Sequence, residues 1–374
     1  EEINKIISDV NSSFNYWKKI DLKERCQYFR HLGITLQSRK DEFARIMALE
    51  MGKPISQGKA EIDKSAWVCD YYADNASDFL SIKEVKTDAS ESYITFQPLG
   101  AVLAIMPWNF PFWQVFRFAA PAMIAGNVSI LKHSSNVQGC ADAIEGLFLE
   151  ASFPENVFRN LTISSQKVDE VIKNPMVKAI TLTGSTPAGK AVAKKAGSVL
   201  KKTVLELGGS DPYLILKDAD LGKASNACLK GRLLNTGQSC IAAKRFIVEE
   251  SVKSDFEKMV VDKIKKEVIG DPFNSKTTIG PMVSIDARNE LIRQVEASIN
   301  AGARLLYKSL IPSVKNSAYH PVIVLTDVLP GMPAFDEELF GPIASIISAK
   351  DKDCALTLAN QTIFGLGAAV FTSD

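Results

Sequence analysis

Residues 127–151 read NVSILKHSSNVQGCADAIEGLFLEA. A short apolar run ends at Lys132 and His133, and a few small polar residues later the apolar positions recur at helical spacing through Val137, Ile144, Leu147 and Phe148. A strand apolar enough to be buried on both faces, followed at once by an amphipathic helix, is the building unit of a parallel sheet covered by helices. The pattern repeats on either side. GAVLAIMP (100–107) reads as a strand, and KAITLTGS (178–185) as a strand running into the helix TPAGKAVAKKAGSVL (186–200). TVLELGG (203–209) and PYLILKDA (212–219) read as further strands. From about Ser210 a second α/β stretch follows, with strands in AKRFIVEES, GARLLY and ASIISAKD and a helix from Asp255. The fold class is α/β, built on two parallel sheets.

The first 80 residues are helical in period. DLKERCQYFRHLG starts with Asp21 as N-cap and Glu24 three residues on, and is expected to stop at Gly33. SRKDEFARIMALEMG stops before Gly52 and Pro54, and AEIDKSAWVCDYYADNASDFL continues in the same period. SYITFQPLG (92–100) then alternates as an exposed hairpin strand would.

Composition excludes several classes. Forty-four Lys plus Arg against 43 Asp plus Glu leave a net charge of +1, so there is no electrostatic footprint for nucleic acid or an anionic membrane. The basic run KIKK (263–266) is interrupted by Ile264 and flanked by acids, as a solvated helix face is. The most apolar stretch, GAVLAIMPWNFPF, is broken by Pro107 and Pro111, and nothing approaches the about 18 apolar residues of a membrane span. The six cysteines make no CxxC pair and the three histidines no ligand spacing, so no metal site is expected. Cysteines used this sparingly in a long chain suit a reducing, cytoplasmic compartment. EEINKIISDV does not resemble a signal peptide, and without an initiator Met a segment before Glu1 is expected to be missing.

In open α/β sheets ligands bind beyond the carboxyl ends of the strands, and several chemical residues fall there. Gly184 and Ser185 open a helix, where free N–H groups suit a phosphate, although a plain Ser N-cap gives the same pattern. Lys132 is either a nucleotide ligand or a solvent-facing strand end. Glu206 interrupts an apolar strand just before Gly208 and Gly209, either ion-paired or exposed in a cleft as a base. Asn109, between two prolines in PWNFP, either donates to an oxyanion or satisfies its own loop. Cys240 ends NTGQSC, behind Gly237 and small hydroxyl residues; it is either a packed thiol or a nucleophile that must reach a substrate. GLGAAV (365–370) lacks the third glycine of a dinucleotide fingerprint and reads as packing, and no GxGxxG is present in the chain.

PWNFP, LTGSTPAG, LELGGSDP, NTGQSC and EELFGP stand in the order and spacing of the aldehyde dehydrogenase superfamily, which the whole chain resembles. IMPWNFPFWQVFR, ILKHSSNVQGCA and GQSCIAAKRFIVEE resemble its bacterial succinate-semialdehyde dehydrogenases most closely. The resemblance implies two Rossmann-like domains, a cofactor domain over 1–79 and 99–208 and a catalytic domain over 209–374, with a bridging β-hairpin at 80–98 that serves a homodimer or homotetramer. It makes Cys240 the nucleophile, Glu206 the base that hydrolyses the thioester, and Asn109 with the Cys240 N–H the oxyanion donors. Glu338 would take the nicotinamide ribose, Phe340 the nicotinamide, Lys132 the adenosine ribose, and Trp108 would stand beside the cofactor. By itself EELFGP reads as a surface turn.

Three departures matter. Ser135 stands where many NAD-preferring members carry a Glu, so NADP is admitted beside NAD. NLTISSQKVDEVI (160–172) lacks the usual glycines of the cofactor domain. Arg117 matches an Arg that holds the substrate carboxylate in succinate-semialdehyde enzymes, and would otherwise be an Arg snorkelling from its helix, but a second such Arg is replaced by Leu234. Members of the family also continue past AAVFTSD, so the last part of the catalytic domain and a final bridging strand are expected to be missing from these residues. The expected activity is NAD(P)-dependent oxidation of a small aldehyde, succinate semialdehyde first. A broad aliphatic-aldehyde dehydrogenase and a non-catalytic cofactor-binding relative are the alternatives.

Overall fold

The computed structural model describes residues 2–374. They divide into two compact units, the first reaching Glu50 and resuming over Gly58–Leu207, the second made of Met51–Gln57 and Gly208–Asp374.

The first unit opens with α1 (Glu2–Trp17), α2 (Leu22–Ser38), α3 (Lys40–Met51) and α4 (Ile55–Phe79). Asp21 caps α2, its carboxylate accepting from the Glu24 N–H at 2.8 Å. Gly33 does not end α2, as its sequence suggested. The helix runs on to Ser38 because Gly33 is a packing residue: a β-carbon there would stand only 3.4 Å from the Ala66 carbonyl of α4. Gly52 does end α3, at φ +74°. The exposed hairpin β1 (Lys83–Glu84) and β2 (Tyr93–Ile94) is shorter than the alternation of SYITFQPLG implied: past its two residue pairs the ladder goes on through the Val85 N–H, which donates to the Ser92 carbonyl at 2.8 Å, and the strands are exposed to solvent.

The sheet follows in β3 (Ala101–Met106), α5 (Trp113–Ile124), β4 (Val128–His133), α6 (Gln138–Glu150), β5 (Phe158–Asn160), α7 (Val168–Lys173), β6 (Val177–Thr183), α8 (Thr186–Gly197) and β7 (Lys202–Glu206). Strand order is β5-β4-β3-β6-β7, parallel throughout. Val128, Ser129, Ile130 and Leu131 are consecutively buried, which only a sheet covered on both faces allows.

The second unit contains β8 (Asp211–Ile215), α9 (Leu221–Leu233), β9 (Ala243–Glu249), α10 (Glu250–Ile264), α11 (Ile285–Asn300), β10 (Arg304–Lys308), β11 (Ile323–Thr326), α12 (Pro333–Asp336), β12 (Ile343–Ala349), α13 (Lys352–Asn360) and β13 (Ala369–Phe371). Helix α10 begins at Glu250, five residues before the expected Asp255, directly off the strand. The order is β10-β11-β12-β9-β8-β13, with only the β10–β11 pair antiparallel. Ile247 belongs to the core on one side of this sheet, and Phe246 and Val248 to the core on the other. Each such side chain contributes roughly 1.5–3 kcal/mol by leaving water. No helix among the described residues is long and apolar enough to cross a membrane.

Candidate active site

In the first unit the strand registers set the candidate residues on one edge of the sheet. Met106 pairs with His133, and Thr183 with Glu206, so the carboxyl ends of β3, β4, β6 and β7 lie level. Asn109 follows β3, Ser135 follows β4, Gly184 and Ser185 follow β6, and Glu206 closes β7. This is the sheet edge at which ligands were expected.

Buried side chains hold the PWNFP loop. Asn109 is 4% exposed, and Trp108 is half-buried. The Glu61 carboxylate, buried on α4, accepts the N–H groups of Phe112 and Trp113 at 2.9 and 3.0 Å and so caps α5. His133, 1% exposed, reaches the same loop: its Nε2 lies 3.0 Å from the Pro111 carbonyl, while its Nδ1 accepts the Ser134 N–H at 2.9 Å. The pairing makes Nε2 the protonated nitrogen, and burial pushes the imidazole from 6.5 down to about 4. His133 was weighed in the sequence only as a metal ligand. Its work here is to tie the end of β4 to the loop after β3.

Arg117, Thr183 and Glu206 come together. The Arg117 guanidinium stands 3.9 Å from the Glu206 carboxylate and donates to the Thr183 hydroxyl at 3.4 Å. Both charged side chains are 37% exposed. Glu206 is therefore neither sealed in the core nor isolated. The three residues share an open depression of about 580 Å³ whose walls include Val102, Phe118 and Pro121. Ser185 is an N-cap, accepting from the Ala188 N–H at 3.4 Å, and Pro187 in the first turn has no N–H to offer. Lys132 is half-buried, and desolvation by burial holds its ammonium below the usual lysine range, with no acidic neighbour among the described residues offsetting it. Ser135 is exposed.

In the second unit the candidates lie at the opposite kind of edge. Cys240 precedes β9, Glu338 and Phe340 precede β12, and Gly209 precedes β8, all at the amino ends of parallel strands. The Cys240 turn is not a flexible one. Asn235 and Thr236 adopt φ +55° and +57°, and Gly237 follows at φ +75°. Left-handed backbone at two non-glycine residues costs on the order of 1–3 kcal/mol each and has to be held by its surroundings. The Thr236 hydroxyl exchanges hydrogen bonds with Gly280, donating to its carbonyl at 3.3 Å and accepting its N–H at 3.1 Å. The Gln57 side-chain amide oxygen, Oε1, accepts the Asn235 N–H at 2.7 Å, and the Gln238 side chain accepts the Val283 N–H at 2.9 Å. Cys240 itself is half-buried, whereas Cys26, Cys69, Cys140 and Cys228 are buried.

Two basic residues organise this edge. Neither had a role assigned from the sequence. Arg232, fully buried, donates to the carbonyls of Gly237, Leu339 and Gly341, and so joins the NTGQSC turn to the EELFGP loop. Lys244 donates to the carbonyls of Ser239 and Cys240 and pairs with Glu338, whose carboxylate also accepts the Gly209 N–H at 3.1 Å. The signal was present in AAKR, two adjacent cations entering an apolar strand, but position in the sequence does not reveal their partners. Among the described residues no group of His, Cys, Asp and Glu is arranged to hold a metal ion.

The chain matches the aldehyde dehydrogenase family over residues 1–374 and belongs to it. It is 45% identical to the probable succinate-semialdehyde dehydrogenase [NADP(+)] of Synechocystis, covering 100% of this chain and 82% of the relative. It is 43% identical to the Escherichia coli succinate semialdehyde dehydrogenase [NAD(P)+] Sad, over 100% of this chain and 81% of that protein. Among solved structures, the succinic semialdehyde dehydrogenase of Streptococcus pyogenes in complex with NADP+ superposes with a TM-score of 0.95 at 34% identity, covering 99% of this chain and 82% of that one. The architecture is that of an aldehyde dehydrogenase, with the parallel α/β sheets expected from the sequence.

Proposed function

We propose that this protein oxidises succinate semialdehyde to succinate, with NADP or NAD as hydride acceptor. The observation that carries the reading is Arg117 beside Glu206 in an apolar depression: a fixed cation for a substrate carboxylate and a carboxylate base at one sheet edge. The relatives named above act on the same aldehyde by name.

In this reading the Cys240 thiolate attacks the aldehyde carbon and forms a thiohemiacetal. The amide of Asn109 and the N–H of Cys240 hold the oxygen, whose charge is greatest in the transition state. A bound nicotinamide supplies the acceptor for the hydride whose loss turns the thiohemiacetal into a thioester. Glu206 then takes a proton from water as it attacks the thioester carbonyl, and the Cys240 thiolate leaves as the acid departs. A carboxylate at position 206 favours hydrolysis over transfer to another acceptor.

The residues present suit the cofactor. Lys132, partly desolvated and with no acidic neighbour among the described residues, fits a ribose hydroxyl or a 2′-phosphate. Ser135 leaves no carboxylate to repel that phosphate. Gly184 and Ser185 would take the phosphates, Trp108 the flank of the cofactor, and Glu338 and Phe340 the ribose and ring of the nicotinamide end.

The domain roles follow: 1–79 and 99–208 bind cofactor, 209–374 carries the nucleophile, and 80–98 bridges subunits. The hairpin and its flanks expose Ile82, Val85, Tyr93, Ile94 and Phe96, as an assembly surface of a homodimer or homotetramer would. Six free thiols suit the cytoplasm.

The test is a panel of aldehydes assayed with NAD and with NADP. Succinate semialdehyde should give the highest kcat/KM. A higher value for butanal would transfer the assignment to a broad aliphatic enzyme, and no reduction of either cofactor would leave a non-catalytic relative. Light scattering on the same sample gives the oligomeric state.

A further inference from the structure

Lys244 is 1% exposed and has three acceptors for its three ammonium hydrogens. Two are consecutive carbonyls of the nucleophile's own turn, Ser239 at 2.8 Å and Cys240 at 2.7 Å. The third is the Glu338 carboxylate at 3.3 Å. The ammonium also stands 5.9 Å from the centre of the Phe340 ring. A lysine buried this deeply is expensive unless its charge is matched, and here the match comes from one carboxylate and two carbonyl dipoles. The arrangement forms a chain of contacts from the Gly209 N–H through Glu338 and Lys244 to the backbone on either side of Cys240.

We propose that Lys244 is a positioning residue that couples the seat of Glu338 to the backbone of Cys240, so that occupation of Glu338 by a ribose is transmitted to the nucleophile. The proposal rests on the roles given above to Cys240 and Glu338. Its physical basis is competition for one carboxylate. A hydroxyl that donates to Glu338 draws on the lone pairs that face Lys244, and the ammonium then leans more strongly on the carbonyls of Ser239 and Cys240. Arg232, on the same pair of loops, hydrogen-bonds to the carbonyls of Gly237, Leu339 and Gly341 and feels Glu338 only through space, whereas Lys244 touches both Glu338 and the carbonyl of Cys240.

The experiment compares the wild type with Lys244→Met, Glu338→Gln and the double variant. Its main readout is the rate of Cys240 alkylation by iodoacetamide, followed by peptide mass spectrometry with and without NADP, which needs no turnover. In the wild type NADP should change that rate several-fold, and in either single variant the change should fall below about twofold. Lys244→Met should lower kcat by about 10- to 100-fold, the worth of lost charge-assisted bonds, with the aldehyde KM moved far less. Because both residues act through one contact, the double variant should be no slower than the worse single one. Alkylation that ignores NADP in the wild type, a cofactor effect that persists in Lys244→Met, or losses that multiply in the double variant would each overturn the coupling. Should Lys244→Met not fold, Lys244→Arg takes its place: it keeps a buried cation, but its planar fork does not meet two adjacent carbonyls and Glu338 as the ammonium does, and the same loss of the NADP effect is expected. A wild type that shows the alkylation effect but oxidises no aldehyde would refute the proposed function and leave the coupling standing.

Discussion

Replacing Arg117 by Leu removes a guanidinium that has protein neighbours as well as a proposed substrate. Its pairing with Glu206 is long, at 3.9 Å, and both side chains are 37% exposed. A pair so long and exposed contributes at most about 1 kcal/mol, so its loss should cost turnover at most about 5-fold, and on every aldehyde alike. The bond to Thr183, at 3.4 Å between partly buried groups, adds little to this. A charge-assisted contact to a substrate carboxylate is worth roughly 1.5–3 kcal/mol, a further loss of roughly 10- to 150-fold that only a carboxylated aldehyde suffers. The ratio of kcat/KM for succinate semialdehyde over butanal should therefore drop by that second factor. Steady-state kinetics with both aldehydes, at saturating NADP, measures it. Equal losses on the two would refute the reasoning and leave Arg117 as the partner of Glu206 alone.

Cys240→Ser should abolish aldehyde oxidation while NADP affinity, measured by fluorescence titration, stays near the wild-type value; activity above a few per cent would remove Cys240 from the nucleophile's role. Glu206→Gln should give one burst of reduced cofactor in stopped flow and then stall, because acylation needs no hydrolytic water; normal steady-state turnover would make Glu206 structural. Ser135→Glu should raise the preference for NAD over NADP in paired kcat/KM measurements, and an unchanged ratio would show that position 135 does not face the ribose. Stability should depend on His133: with its pKa at about 4 in the fold against 6.5 when unfolded, the unfolded chain binds the extra proton first as pH falls. Stability is thus intact above pH 6.5 and declines toward pH 4, by roughly 3 kcal/mol for this group, and His133→Gln should flatten the fall of melting temperature over that range.

The α/β class, the helical opening and the strand-end placement of Asn109, Lys132, Ser185 and Glu206 were legible in the sequence. Each rests on a local rule. Consecutive burial in VSILKH requires cover on both faces of a sheet, and parallel strands bring their carboxyl ends level, so residues just past those ends share an edge. The motif order carried the resemblance to the family for the same reason, since the motifs are contiguous in the chain. Some local rules were overridden by contacts distant in sequence. Gly33 looks like a helix stop but sits against the Ala66 carbonyl, so packing on α4 and not capping determines its place. SYITFQPLG alternates like a strand, yet in this solvent-exposed hairpin the strand itself spans Tyr93–Ile94.

What the tertiary structure alone decided is who stands beside whom. The partners of Arg117, His133, Arg232 and Lys244 are carbonyls and carboxylates far away in the chain or hidden in backbone atoms that no residue letter describes. The NTGQSC turn shows the difference most clearly. Its small residues left open whether Cys240 is a packed thiol or a nucleophile and said nothing of how the turn is held; Thr236 and Gly237 prove to be buried in left-handed backbone and tied to Gly280 and Arg232. Small side chains are needed there because the fold closes tightly around the turn, and rigidity of that kind is a property of the surrounding atoms, not of the residues that require it.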